Sequence, residues 1–152
     1  MQATNLSYGE GTLIPFGIIG APWIGGDALI NILDEQEFSG INFDPIDFTP
    51  VQIPGGPDNI IYKDEKCSGV IFTIPDRNVF SPVDVGGFII GTIAKLYPYR
   101  YKLNNPEFFD QCYGGRNFRM DINLGKDIKD IQSRWQADLT KYQKLIKKYM
   151  LY

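Results

Sequence analysis

Eight residues, Cys67-Ser-Gly-Val-Ile-Phe-Thr-Ile74, carry the strongest β signal in the chain, and Pro75-Asp76-Arg77-Asn78 stops it. A helical signal follows from about Pro82 to Leu96. Proline suits the first helical turn, and Val85, Phe88, Ile89, Ile93 and Leu96 recur at helical spacing. Gly86, Gly87 and Gly91 lower the propensity of that helix but let it lie very close to a sheet. A strand followed by a helix that can cover it points to layered α and β structure.

The remaining segments fit the same class. Leu13 to Ile19 reads as a strand interrupted by Pro15, and Gly20-Ala21-Pro22-Trp23 as a turn that presents an indole. Asp27 suits the cap of a helix over 27–37 with Leu29, Ile30 and Leu33 as its apolar stripe, and Gly40 can end it. Ile41–Phe48 alternates as a strand does, with Pro45 at an edge or bulge. Residues 51–66 read as a long loop, and 98–123 as an aromatic and polar stretch with a short helix between Asn105 and Gly114. The last helix spans about 127–148. Its Ile128, Ile131, Trp135, Leu139, Tyr142 and Ile146 predict one buried face. The expectation is a single α+β domain over 1–152, with a small β-barrel-like or mixed-sheet core, flanking helices and a long C-terminal helix.

Charge and residue counts exclude several functions. A net charge of −3 argues against nucleic acid, which needs a basic face. The lysines at 141, 144, 147 and 148 are read as complementing the dipole at the end of the last helix. The chain has no histidine, which removes a Ser-His-Asp triad, a His-rich zinc site and a His general base. Cys67 and Cys112 form no metal motif and are expected as reduced thiols, at least one of them buried. No metal and no organic cofactor is expected. No apolar run approaches the roughly 18 residues of a membrane span, and the first residues do not read as a signal peptide.

Four residues stand out as candidates for ligand contact. Glu10 and Thr12 lie in Ser7-Tyr8-Gly9-Glu10-Gly11-Thr12, where glycines let the backbone approach a ligand; the plainer reading is a turn. Trp23 could be a platform for the apolar face of a sugar, or a core residue. Asp76, beside Arg77, could sit at a cleft rim, or pair locally. Asp44 and Asp47 give only a weak hint of the paired carboxylates that a glycosidase needs.

Taken in order, Gly11-Thr-Leu-Ile-Pro-Phe16, Ile19-Gly-Ala-Pro-Trp23, Phe48-Thr-Pro50, Cys67-Ser-Gly-Val70, Asp76 with Phe80-Ser-Pro-Val83, Leu96-Tyr-Pro98 and Lys148-Tyr-Met-Leu-Tyr152 resemble the C-terminal part of the NamZ-type exo-β-N-acetylmuramidases. The resemblance runs from about Asn5 to Tyr152. It implies a two-domain glycoside hydrolase of bacterial peptidoglycan, two to three times this length. A Rossmann-like N-terminal domain, absent here, would hold the principal catalytic carboxylate. The C-terminal domain would form one wall of a cleft for a muramic-acid glycan. The full-length family is expected to be periplasmic or extracellular. Members often read Ser-Glu-Gly-Arg-Gly-Thr where this chain has Tyr8 and Glu10; Glu10 could not pair with the lactyl carboxylate of muramic acid as an arginine could.

The expected function is therefore a cleft-forming domain, inactive alone, with Glu10, Thr12, Trp23 and Asp76 as substrate-binding residues and no catalytic residue assigned. The alternative is a stand-alone carbohydrate-binding or interaction module. A third possibility, a purely structural domain, predicts a fully buried Trp23.

Overall fold

The computed structural model describes residues 2–150, so Leu151 and Tyr152 of the terminal motif lie outside the described residues. In chain order the elements are β1 (Ile18–Ala21), α1 (Gly26–Asp34), β2 (Asn42–Phe48), β3 (Cys67–Thr73), α2 (Pro82–Leu96), α3 (Pro106–Cys112), α4 (Asn117–Asn123) and α5 (Ile128–Ile146), followed by a 3-10 turn over Lys147–Tyr149. The architecture is α+β, as the sequence predicts. β3 lies between β1 and β2, pairing antiparallel with both, and the three-stranded sheet stays open rather than closing into a barrel.

Register decides what each face carries. Ile19 opposes Val70, and Phe43 opposes Phe72, so their side chains share one face. That face packs with Leu29 and Leu33 of α1 and Phe88, Ile89 and Ile93 of α2 in one core. Pro45 is harmless because β2 is an edge strand whose other side needs no ladder bond. The outer side of β1 is covered by Ser7, which exchanges both backbone hydrogen bonds with Gly20 at 2.9 and 3.0 Å.

The tightest point is Gly69 on β3. A Cβ there would run into the carbonyl oxygen of Ile19, and would meet Gly20 Cα at 2.6 Å. One residue into α1, a Cβ on Gly26 would come within 2.6 Å of the Gly69 oxygen. Glycine at both positions lets β1 and the start of α1 close onto the same stretch of β3. Asp27 does not cap α1 as the sequence suggests. Instead Gly25 N donates to Tyr97 Oη at 2.9 Å, and Gly26 N to Ser68 Oγ at 3.3 Å, so tertiary partners satisfy the helix start.

Three expectations shift. Strand structure begins at Ile18, not Leu13. Pro15 has no N–H to give a ladder, Phe16 sits at φ 64°, and the Thr12 hydroxyl holds a turn. α1 ends at Asp34, before the left-handed Glu37. The apolar face of α5 is buried only in its first half. α5 runs along α2, with Trp135 over Gly87 and Gln132 Nε2 donating to Asp84 O at 2.6 Å. α2 begins at Pro82, so α5 soon outruns it, and Leu139, Tyr142 and Leu145 face solvent. Residues 117–123, expected only as part of an aromatic stretch, form α4. Asp121 there, 7% exposed, is held by Lys126 Nζ and Arg134 Nη2, both at 2.6 Å.

Gly69→Ala is expected to cost about 1–3 kcal/mol, the range for overpacking a closed interior, read as a lower midpoint in urea denaturation. Asp121 supplies a pH test. Lys126 first, and Arg134 after it, hold its carboxyl below the usual carboxylate range against the opposing effect of burial. That stabilisation is complete above the unfolded aspartate value of about 3.9 and is lost as pH falls through the lower folded value. Asp121→Asn should lower the thermal midpoint at neutral pH and lose less on acidification below about pH 4 than the parent does.

Candidate functional site

β1 leads into the Pro22–Gly25 connection, and the pinned start of α1 fixes where Trp23 projects. Its indole Nε1 donates to Tyr62 Oη at 3.0 Å, and Tyr62 Oη donates in turn to the carbonyl of Asn5 at 2.9 Å. The Tyr97 ring meets the indole edge-on, with centroids 5.4 Å apart. Trp23 is only partly buried, contrary to what a purely structural domain predicts. Together Pro22, Trp23, Tyr62, Glu65, Tyr97 and Arg100 line an open depression of about 650 Å³.

Asn5 ties this depression together. Its Nδ2 donates to Arg100 O at 2.8 Å, and its Oδ1 accepts from Lys102 N at 2.8 Å. Its own N–H donates to Lys102 O at 3.0 Å. One asparagine therefore fixes both the Tyr62 hydroxyl and the backbone on either side of Tyr101.

Glu10 and Thr12 lie in a different feature, the loop before β1. Thr12 Oγ1 donates to Gly9 O at 2.7 Å and accepts from Ile14 N at 3.2 Å, so its hydroxyl shapes the turn. Gly11, at φ 77°, lies against residue 51, whose N–H donates to Gly11 O at 2.9 Å. Glu10 lies close enough to the Tyr8 phenol to act on its acidity. Burial, with Glu10 beside it, pushes that phenol up to about 12. Tyr8 also stacks on Phe16, centroids 5.4 Å apart, while Leu13 is 99% exposed.

Asp76 is placed elsewhere. Ala21 pairs with Ser68, so Trp23 lies past the Cys67 end of β3, whereas Asp76 lies past the Thr73 end. At about 3.3 Å per residue, the strand alone separates them by roughly 20 Å. Asp76 Oδ1 accepts from Asn78 N at 2.9 Å, a local turn, and the expected pairing with Arg77 is not formed. The structure thus brings Trp23 to the depression, holds Glu10 and Thr12 in the loop before β1, and leaves Asp76 at the far end of the sheet.

Tyr62, Glu65, Arg100 and Asn5 escape sequence reasoning. They come from loops that carry no periodic signal, whereas Pro22, Trp23 and Tyr97 belong to the segments Ile19-Gly-Ala-Pro-Trp23 and Leu96-Tyr97-Pro98. Much of the aromatic stretch goes into packing: Phe109, Tyr113 and Phe118 stack on one another, and Trp135 meets Phe118 edge-on at 5.3 Å, while Tyr99 is exposed.

The carboxylates with displaced acidity move in one direction. Asp47 is held low by Lys66, Asp110 by Arg119, and Asp121 by Lys126 and Arg134. A general acid for glycoside cleavage needs the opposite shift. The Cys67 thiol is buried and pushed up to about 11 by desolvation, so it is an unreactive core residue, while Cys112 is exposed. Among the described residues no group of His, Cys, Asp or Glu could hold a metal, and no helix is long and apolar enough to cross a membrane. Asn5→Ala is expected to cost about 1–3 kcal/mol, because it strips partners from Lys102 N and Arg100 O, and to shift the emission of Trp23. Chemical denaturation followed by tryptophan fluorescence measures both.

Comparison with known proteins places the whole chain. The sequence profile described as "Exo-beta-N-acetylmuramidase NamZ, C-terminal" matches residues 1–152. The peptidoglycan beta-N-acetylmuramidase NamZ of Bacillus subtilis (strain 168) is 31% identical over 152 residues, all of this chain and 35% of that protein. The chain therefore spans about a third of the length of that relative. A DUF1343 family protein of Bacteroides fragilis NCTC 9343 superposes with a TM-score of 0.81 at 25% identity, covering 97% of this chain and 38% of that one. A second DUF1343 protein of the same organism, at 24% identity, TM-score 0.59 and coverage of 99% and 37%, shares the fold. The chain belongs to the family of C-terminal domains of NamZ exo-β-N-acetylmuramidases.

Proposed function

We propose that this domain forms one wall of a glycan cleft in a longer peptidoglycan exo-β-N-acetylmuramidase and does not catalyse hydrolysis alone. The observation that carries this reading is the match over the whole chain to a relative named for that activity, of which the chain spans only about a third. The chemistry agrees. Hydrolysis of a glycosidic bond takes two carboxyl groups across it, one of them held protonated. Asp47, Asp110 and Asp121 are each tied to a cation and pulled toward the ionised form.

On this reading the partner is a Rossmann-like N-terminal domain of the longer protein, which supplies the catalytic carboxylate. Two exposed apolar surfaces suit contact with it. One is the loop with Leu13, Ile14 and Phe16; the other is the free half of α5 with Leu139, Tyr142 and Leu145. The substrate is a glycan ending in N-acetylmuramic acid. Trp23 is the stacking platform of this wall. Glu10 contacts substrate from the loop before β1, Thr12 keeps that loop in shape, and Asp76 serves only a part of the glycan that extends along the sheet.

The test is release of N-acetylmuramic acid from a chromogenic muramide. The chain alone should give no turnover, and the chain joined to the N-terminal domain of the Bacillus relative should give turnover. Release by the chain alone would refute the proposal. Binding of the glycan with no turnover in either form would favour the stand-alone carbohydrate-binding module.

A further inference from the structure

We propose that the Trp23 depression is a subsite for a pyranoside bearing a carboxylate, with Arg100 pairing to the carboxylate and Glu65 accepting from a neutral O–H or N–H of the same ligand. The proposal rests on the glycan-cleft reading above and names the part of the ligand that this wall would recognise.

The argument starts from which polar groups are already used. The indole N–H of Trp23 goes to Tyr62, the Tyr62 hydroxyl proton goes to Asn5, and the Tyr97 oxygen accepts from Gly25. The donors of Trp23 and Tyr62 are thus spent inside the protein, and the Tyr97 oxygen is engaged by the backbone. What they offer to the depression is ring surface, which suits the C–H face of a pyranose.

The charged groups are in the opposite condition. Arg100 and Glu65 both line the depression and both are exposed. Neither side chain forms an ion pair among the described residues. The Arg100 backbone, by contrast, is fixed twice: its carbonyl accepts from Asn5 Nδ2 at 2.8 Å, and its N–H donates to Tyr97 O at 3.0 Å. A guanidinium on a fixed backbone, beside an aromatic floor and with no internal partner, is set up for bidentate contact with a carboxylate.

The charge pattern narrows the ligand class. The depression holds one cation and one carboxylate. It fits a ligand with a single negative charge and neutral donors at some distance from it, and it would repel a polyanion at Glu65. The size, about 650 Å³, lies in the range of about 300–1,000 Å³ typical of small-ligand sites. N-acetylmuramic acid has this pattern: one ether-linked carboxylate, an N-acetyl N–H and free hydroxyls. N-acetylglucosamine is the same ring without the carboxylate.

The experiment is calorimetric titration of the chain with the methyl glycosides of N-acetylmuramic acid, N-acetylglucosamine and glucuronic acid, with Arg100→Gln beside the parent. Circular dichroism checks that the variant is folded; its exposed side chain leaves the core untouched. The muramic glycoside is expected to bind at least about five-fold more tightly than the glucosamine one, as one charge-assisted contact allows. R100Q should erase that preference and leave the glucosamine glycoside unchanged. If R100Q keeps the preference, or if none of the three sugars binds, the subsite is refuted. Muramic binding that ignores Arg100 would refute the subsite and leave the muramidase reading standing. Binding of the glucuronide alone, lost in R100Q, would support a carboxylate subsite and count against the muramidase reading.

Discussion

The close approach at Gly69 governs how this domain is assembled. The backbone of β1 and the first turn of α1 both press on the same short stretch of β3, at distances that no side chain would permit. Because both ends of the 22–25 connection are held there, the indole between them has little freedom. Trp23 is positioned by backbone contact behind it and by hydrogen bonds through Tyr62 to Asn5. The N-terminal segment completes the arrangement: Ser7 extends the sheet beside β1, and Asn5 reaches across to residues 100–102. Fold and candidate site thus share one set of contacts.

That arrangement also explains a division of labour within the domain. Ion pairs at Asp110 and Asp121 secure the helical end, and the stacked rings of Phe109, Tyr113 and Phe118 fill it. The opposite end carries the exposed Lys66–Asp47 pair, but beside Trp23 neither Glu65 nor Arg100 forms an ion pair among the described residues. Charges engaged in structure are unavailable to a ligand, and those left free at the Trp23 end mark where a ligand would be met.

Much of the fold was legible because it rests on local pattern. Alternation marked β2, a β-rich run stopped by a proline turn marked β3, helical spacing marked α2, and Pro45 fitted the edge position that β2 takes. Errors arose where tertiary contacts decided. The Thr12 hydroxyl and the left-handed Phe16 turned an apolar run into a loop. The length of α2 decided how much of the α5 stripe could be covered, and nothing in α5 itself encodes that. The site followed the same rule. Trp23 was visible because a turn presents it. Arg100, Glu65 and Asn5 were not, because what gathers them is pairing between residues nearly a hundred positions apart, as in Asn5 with Arg100.

The central claim is that the Trp23 depression is where this wall meets a muramic-acid glycan. Mapping N-acetylmuramic acid by amide and indole chemical shifts in solution tests it most directly, because the two indoles report from different places. The account predicts the largest changes at the Trp23 indole and at the amides of Tyr97 and Arg100, with the Trp135 indole unmoved. Changes centred instead on the apolar hollow of about 450 Å³ that Gly91, Ile128 and their neighbours line would contradict it.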